Sequence, residues 1–322
     1  MSAAPVIFDL AGKRVFVAGH AGMAGSAIVQ RLRRENCDIV TVPRRDLDLR
    51  QADAVDRFMA QAKPDAVFVA AGKVGGIRAN STFPADFIAD NIAIALNTIR
   101  AAHKHGVKKL VYLGSSCIYP RLAPQPMTPD LLLSGALEPT NQWYSVAKIA
   151  GIKMCQAFRL QHGADFVAVM PTNLYGPGDN YHPEDSHVPA ALMRRFHEAK
   201  LAKAPRVTVW GTGTPRREFL AVDDLADGCV FVMQRYSDLE FINIGTGIDA
   251  TIAEFARLIA DIVGYQGTFD FDTSRPDGMP RKLLDVSRIN ALGWHAVTPL
   301  QEGLKRMYED FLTRYDAIRV ES

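Results

Sequence analysis

The chain has 322 residues, 48% of them hydrophobic, and its 37 lysines and arginines nearly balance 35 aspartates and glutamates, for a net charge of +2. That length and apolar content suit an α/β protein of one or two lobes. The even charge, with no basic patch, argues against a nucleic-acid or membrane-surface role; no apolar run is long enough to span a bilayer, and no basic segment followed by a hydrophobic run marks a signal peptide.

Cys37, Cys117, Cys155 and Cys229 are widely separated and form no CxxC pair. Neither a metal site nor a redox disulfide is expected, and a reducing cytoplasm is the natural compartment.

In chain order, Arg14–Ala18 is a short apolar run suited to a buried parallel strand. Gly19-His20-Ala21-Gly22-Met23-Ala24-Gly25 follows at once, and Ser26 to Leu32 reads as a helix. Strand, glycine turn and helix start in that order can cradle a diphosphate. Glycines let the backbone come close, and free N–H groups at the helix start face the anion. Asp38–Val42, Ala66–Ala70, Leu110–Gly114 and Phe166–Met170 are further strand candidates, separated by helical patterns such as Asn91 to His105. This alternation predicts an α/β, Rossmann-type doubly wound parallel sheet. Ligands of such sheets bind at the carboxyl ends of the strands. Gly19, His20, Gly22, Met23, Ala24, Gly25, Ala70 and Ala71 are therefore candidate cofactor contacts, as are Pro171, Thr172, Asn173 and Leu174. Past Tyr175, Gly, Pro, Asp, Asn and His cluster through Pro189, which reads as a long loop. Residues 1–175 are expected to form the dinucleotide-binding domain, with segments near 218–246 returning to it. Residues 176–322 are expected to form mainly a smaller α/β substrate lobe.

The second strand ends in Pro43-Arg44-Arg45-Asp46. An acid near that point bonds the ribose hydroxyl of NAD, whereas arginine pairs with the 2′-phosphate of NADP. Arg44 and Arg45 favour NADP, against the alternative of a solvated basic turn. Tyr144 and Lys148 stand four apart and share a helix face. An ammonium placed there favours loss of a phenol proton, which otherwise leaves only at about pH 10. Ser115 and Cys117 lie just past the fourth strand. His182, His162 and His105 have no partner visible in the sequence and read as surface.

Gly19 to Gly25, Gly114-Ser115-Ser116-Cys117-Ile118-Tyr119-Pro120, Pro171 to Pro177 and Pro280-Arg281-Lys282-Leu283-Leu284-Asp285-Val286 together resemble the GDP-L-fucose synthase family, in the extended short-chain dehydrogenase/reductase superfamily. The resemblance runs from about residue 14 almost to the C-terminus. It implies conversion of GDP-4-keto-6-deoxy-D-mannose to GDP-L-fucose, by epimerisation at C3 and C5 and reduction at C4 with NADPH. By the same resemblance, Tyr144 is the proton donor to the C4 oxygen, Lys148 holds the nicotinamide ribose and Ser115 bonds near the C4 carbonyl. Cys117 and His187 resemble the acid/base pair of the epimerisation, His187 also lying near the cofactor. Asn173, Val188, Arg195, Trp210, Arg217, Asp277 and Lys282 match nucleotide-sugar contacts. A homodimer is implied too. One departure is Ala21, where the family often has Arg.

The chemistry asks for such residues independently. Inversion next to a carbonyl needs a base on one face and an acid on the other. A thiol at about 8.5 and an imidazole at about 6.5 both exchange protons near neutrality, although a lone Cys is usually a small buried hydrophobe. Competing readings are another sugar-nucleotide epimerase or dehydratase, or a non-catalytic NADP-binding regulator. A dehydratase would carry an acidic pair where Ser116-Cys117 stands, and a regulator would be expected to lack Tyr144 or Lys148.

Overall fold

The computed structural model describes residues 3–183, 186–275 and 277–320. Its main sheet is built from β1 (Arg14–Ala18), β2 (Asp38–Val40), β3 (Ala66–Val69), β4 (Lys109–Leu113), β5 (Asp165–Pro171) and β9 (Ile242–Ile244). All pairings are parallel, in the order β2-β1-β3-β4-β5-β9. The strands are apolar because helices cover both faces. Helices α1 (Met23–Leu32) and α7 (Val222–Arg235) pack together, as do α4 (Pro84–Lys104) and α5 (Gln142–His162), with α2 (Ala52–Ala62) against α4. One charged residue of the main sheet is fully buried. It is Lys109, whose ammonium reaches the Tyr236 carbonyl at 2.7 Å and Asp165 at 3.0 Å.

The chain runs from β1 to β2 on one side and crosses back to β3 on the other, so a switch point opens between β1 and β3. The glycine turn sits there. Gly19 has φ +88, and a Cβ on it would lie 2.6 Å from the Ala71 nitrogen. No side chain fits that approach.

The rest of the chain builds a second apolar cluster. It contains α6 (Val188–Leu201), α8 (Ile252–Val263) and α10 (Leu300–Val320), around β6 (Asn173–Tyr175), β7 (Arg206–Trp210), β8 (Arg216–Ala221) and β11 (Thr268–Asp272). Phe219 stacks on Phe255 with centroids 3.9 Å apart. The strand β10 (Asp249–Thr251) and the two-residue β12 (Arg281–Lys282) flank β8. Two short helices, α3 (Ile77–Thr82) and α9 (Ser287–Ala291), complete the fold.

Glu218 ties distant segments together. Fully buried on β8, it accepts from the N–H groups of Thr246 at 2.6 Å, Gly247 at 2.8 Å and Leu284 at 2.9 Å. Burial nevertheless pushes its carboxyl up.

Several local expectations shift. The predicted helix start at Ser26 moves back to Met23, and the helix around Asn91 begins already at Pro84. The loop expected through Pro189 ends at His187, because α6 begins at Val188 with Pro189 in its first turn. Proline suits that place, where its missing N–H would have no helical partner. His105 is not a bare surface residue: its Nε2 lies 2.9 Å from Asp56 Oδ1. His162 stacks on His103 with centroids 4.4 Å apart. No helix among the described residues is long and apolar enough to cross a membrane.

Candidate active site

A cleft of about 1190 Å³ opens at the carboxyl ends of the main-sheet strands and runs toward the smaller lobe. It is lined by the turn Gly19–Gly25, by Arg44, Ala70 and Ala71, and by Pro171 to Leu174. Ser115, Cys117, Tyr144, His187, Val188, Arg195, Trp210, Arg217, Asp277 and Lys282 line the same space. Two expected residues do not. Arg45 turns outward, its side chain 85% exposed and 3.7 Å from Asp46. Lys148 is buried behind the wall, only 4% exposed.

The turn has the shape a dinucleotide diphosphate needs. Gly22 has room for a Cβ, with Gly19 O as its nearest neighbour at 3.6 Å, and it faces the cleft. A Cβ on Gly25 would strike Gly19 O at 2.1 Å, so Gly25 is required for packing the helix onto the strand. Helix α1 starts here with free N–H groups, and Arg44 adds positive charge at the same cleft. These residues fit NADP. Asn173 is differently occupied, its amide donating to the Glu218 carbonyl at 2.7 Å.

The reactive groups meet beyond the end of β4. Ser115 caps a single 3-10 turn, its hydroxyl accepting from the Cys117 N–H at 3.3 Å. The Cys117 thiol accepts from Asn141 Nδ2 at 3.4 Å and from Lys282 Nζ at 3.3 Å. Burial pushes this thiol up. The Lys282 charge, the hydrogen bonds of Ser115 and Lys282, and the Arg217 charge outweigh burial, and the net shift is downward. His187 sits at the start of α6, where solvent still reaches it from the cleft. Protein around the ring, and then the Lys282 charge, lower its imidazole.

Tyr144 departs from expectation. Its phenol is pushed well up by burial and by Cys117, with Ser115 opposing. Lys148 does not depress it. That ammonium donates to the Leu113 carbonyl at 2.8 Å and stands 5.7 Å from the centre of the Tyr144 ring. Burial lowers Lys148 itself to about 8.

On the far wall, Arg195 lies 5.4 Å from the Trp210 ring centre and donates to the Thr208 carbonyl at 2.7 Å. Arg217 donates to the Asp277 carbonyl at 3.1 Å, and the Asp277 carboxylate holds Thr212 through its N–H at 2.7 Å and its hydroxyl at 2.9 Å.

Residues 15–245 match the model of the NAD dependent epimerase/dehydratase family. The chain is 56% identical over 301 residues to GDP-L-fucose synthase 1 of Arabidopsis thaliana, covering 93% of each. It is 53% identical over 317 residues to GDP-L-fucose synthase of Escherichia coli strain K12, covering 95% of this chain and 99% of that one. This chain belongs to the GDP-L-fucose synthase family. The crystal structure of a GDP-L-fucose synthetase from Naegleria fowleri bound to NADP superposes with a TM-score of 0.87 at 26% identity, covering 98% of both chains.

Asn141 and the segment just past Arg44 are among the cleft residues that escaped the sequence reading. Asn141 touches the thiol and lies three residues before Tyr144, a spacing that shares a helix face and could have pointed to it. Leu47, Asp48 and Leu49 line the cleft just past Arg44. The Arg50 side chain holds the Asp48 carboxyl down at about 2 and also bonds Asp90, which braces this edge.

Proposed function

We propose that the protein converts GDP-4-keto-6-deoxy-D-mannose to GDP-L-fucose, with Cys117 and His187 inverting C3 and C5 and Tyr144 serving the reduction at C4. It is an NADP-dependent oxidoreductase with epimerase activity, in GDP-fucose synthesis. One observation carries this reading: a thiol held by two N–H donors, an imidazole and a half-buried phenol share one cleft with a glycine cradle and Arg44.

Gly19, His20, Gly22, Met23, Ala24, Gly25, Ala70 and Ala71 would hold the dinucleotide, with Arg44 at its 2′-phosphate and Pro171, Thr172, Leu174 and His187 further along. NADPH bound there supplies the hydride for C4. Tyr144, which its surroundings keep protonated, gives its proton to the C4 oxygen. Ser115 would bond that oxygen, and Lys148, 4% exposed and bonded to the Leu113 carbonyl, would have to leave that acceptor to hold the ribose. A protonated phenol is the state an acid requires, so the raised Tyr144 serves the role better than a phenolate would.

Epimerisation uses the acidity of carbons beside a ketone. The Cys117 thiolate takes the proton, the C–H electron pair moves onto the C4 oxygen as an enolate, and His187 returns a proton to the opposite face. Thiol and imidazole then exchange protons with water, which resets the pair. Arg195, Trp210, Arg217, Asp277, Asn173, Val188 and Lys282 would hold the nucleotide-sugar. Trp210 is half exposed, with the Arg195 and Arg275 guanidinium groups 5.4 and 5.0 Å from its ring centre. The protein is further proposed to act as a cytoplasmic homodimer. We also propose residues 1–175, with returning segments near 218–246, as the cofactor domain and 176–322 as mainly the substrate lobe.

Adding GDP-4-keto-6-deoxy-D-mannose to enzyme and NADPH should lower NADPH absorbance and yield GDP-L-fucose. A steady absorbance, with binding intact, would refute the assignment.

A further inference from the structure

Lys282 lies on the two-residue strand β12, paired with Arg217 of β8, and is only 7% exposed. Among the described residues no carboxylate lies within ion-pair distance of it. A buried ammonium needs a counter-charge or hydrogen-bond acceptors to offset its lost hydration. Among the described residues, the one side chain it bonds is Cys117, at 3.3 Å. On another side of the same sulfur stands the Asn141 amide at 3.4 Å. The remaining groups facing the thiol are Ser115 from the 3-10 turn, Tyr144 from α5 and Arg217 from β8. Lys282 and His187 line the same cleft, and the Lys282 charge adds to the burial that lowers the imidazole.

We infer that Lys282 is the positioning residue of the epimerisation: its ammonium holds Cys117 as the proton-accepting thiolate and, lining the same cleft as His187, sets the pH at which the pair works. The inference rests on the roles proposed above for Cys117 and His187. The working form of the pair carries a thiolate and an imidazolium. A neighbouring positive charge favours the deprotonated form of both groups. It lowers the pH at which the thiol becomes a base, through charge and a hydrogen bond, and through charge alone the pH at which the imidazole stops being an acid. Both limbs of the activity window therefore move toward acid, the thiol limb further. A residue that only shaped the pocket would change the height of that window and leave its position alone.

The test uses the full enzyme in a Cys37→Ser background, because Cys155 and Cys229 are buried and Cys117 then dominates thiol labelling. Alkylation of Cys117 by iodoacetamide is followed against pH by mass spectrometry, for the parent, Lys282→Met and Lys282→Arg. Deuterium entry at C3 and C5 of the keto sugar is followed over the same range. In Lys282→Met the alkylation inflection should rise by about 1–3 pH units, the shift typical of losing one close opposite charge. Lys282→Arg should restore it, and both limbs of the exchange profile should move alkaline in Lys282→Met, the thiol limb further. An unmoved inflection in a Lys282→Met protein that still binds NADPH overturns the inference. Should that variant fail to fold, Lys282→Gln takes its place: a raised inflection supports the role of Lys282, and an unmoved one overturns it. Retained exchange in Cys117→Ser would instead refute Cys117 as the base, and the labelling result on Lys282 would stand apart from it.

Discussion

The ammonium of Lys148 donates to the Leu113 carbonyl at 2.8 Å rather than to the phenol of Tyr144, whose ring centre is 5.7 Å away. Lys148 is thus anchored to the last residue of β4, and burial together with Cys117 favours the protonated phenol of Tyr144. Tyr144→Phe keeps the ring and removes the acid. Turnover should fall roughly 10²–10⁴-fold, the usual contribution of a positioned acid, while NADPH binding and deuterium exchange at C3 and C5 persist. Near-normal reduction by this variant would show that another group supplies the proton.

Two glycines in one turn should fail in different ways. Gly22 has space for a Cβ and faces the cleft, so Gly22→Val should fold normally and lose NADPH binding, measured by fluorescence titration. Gly25 has no such space, and Gly25→Val should unfold at markedly lower urea. Equal stability of the two variants in urea would contradict this division.

Arg44 lines the cleft and Arg45 points into solvent. Arg44→Ala should weaken NADPH by about 1.5–3 kcal/mol, the value of hydrogen bonds to a charged group, and leave NADH nearly unchanged. Arg45→Ala should alter neither. Comparable losses of NADPH and NADH in Arg44→Ala would mean that the arginine only braces the loop.

Asp179, 4% exposed at the cleft edge, has its carboxyl raised to about 7 by burial. Because the folded value lies above the unfolded one, the folded state binds the extra proton. Stability from this group is full below about pH 4 and falls as pH climbs toward about 7, beyond which the loss is complete. Asp179→Asn mimics the protonated form. It should stabilise the protein at about pH 8, by at most about 4 kcal/mol for a shift of this size, and change little at about pH 4. Urea unfolding at the two pH values checks this; equal effects at both would assign the group an unshifted carboxyl.

How much was legible follows from where each signal resides. The parallel strands could be read because both faces are buried, which turns Val15 to Ala18 and Ala66 to Val69 into unbroken apolar runs. The glycine turn could be read because its spacing is local. Tyr144 and Lys148 share a helix face as their spacing requires, yet the spacing is silent about the Leu113 carbonyl that claims the ammonium. Arg44 and Arg45 are neighbours with opposite orientations, a distinction set by packing rather than residue type. Lys282 meets Cys117 across 165 residues of chain, and no local pattern encodes that meeting.

The three backbone bonds to Glu218 also bear on the order in which this protein can be made. By accepting from the Thr246, Gly247 and Leu284 N–H groups, its carboxylate joins chain segments that leave the ribosome far apart in time. Strand β9 covers the edge of β5, and α7 covers a face of the main sheet, so the nascent N-terminal half must wait with an open sheet edge and an uncovered apolar face. Only when residues near Leu284 have emerged can the carboxylate be sheathed. Until then that edge and face stay open, and a truncation after Tyr175 would leave them open for good.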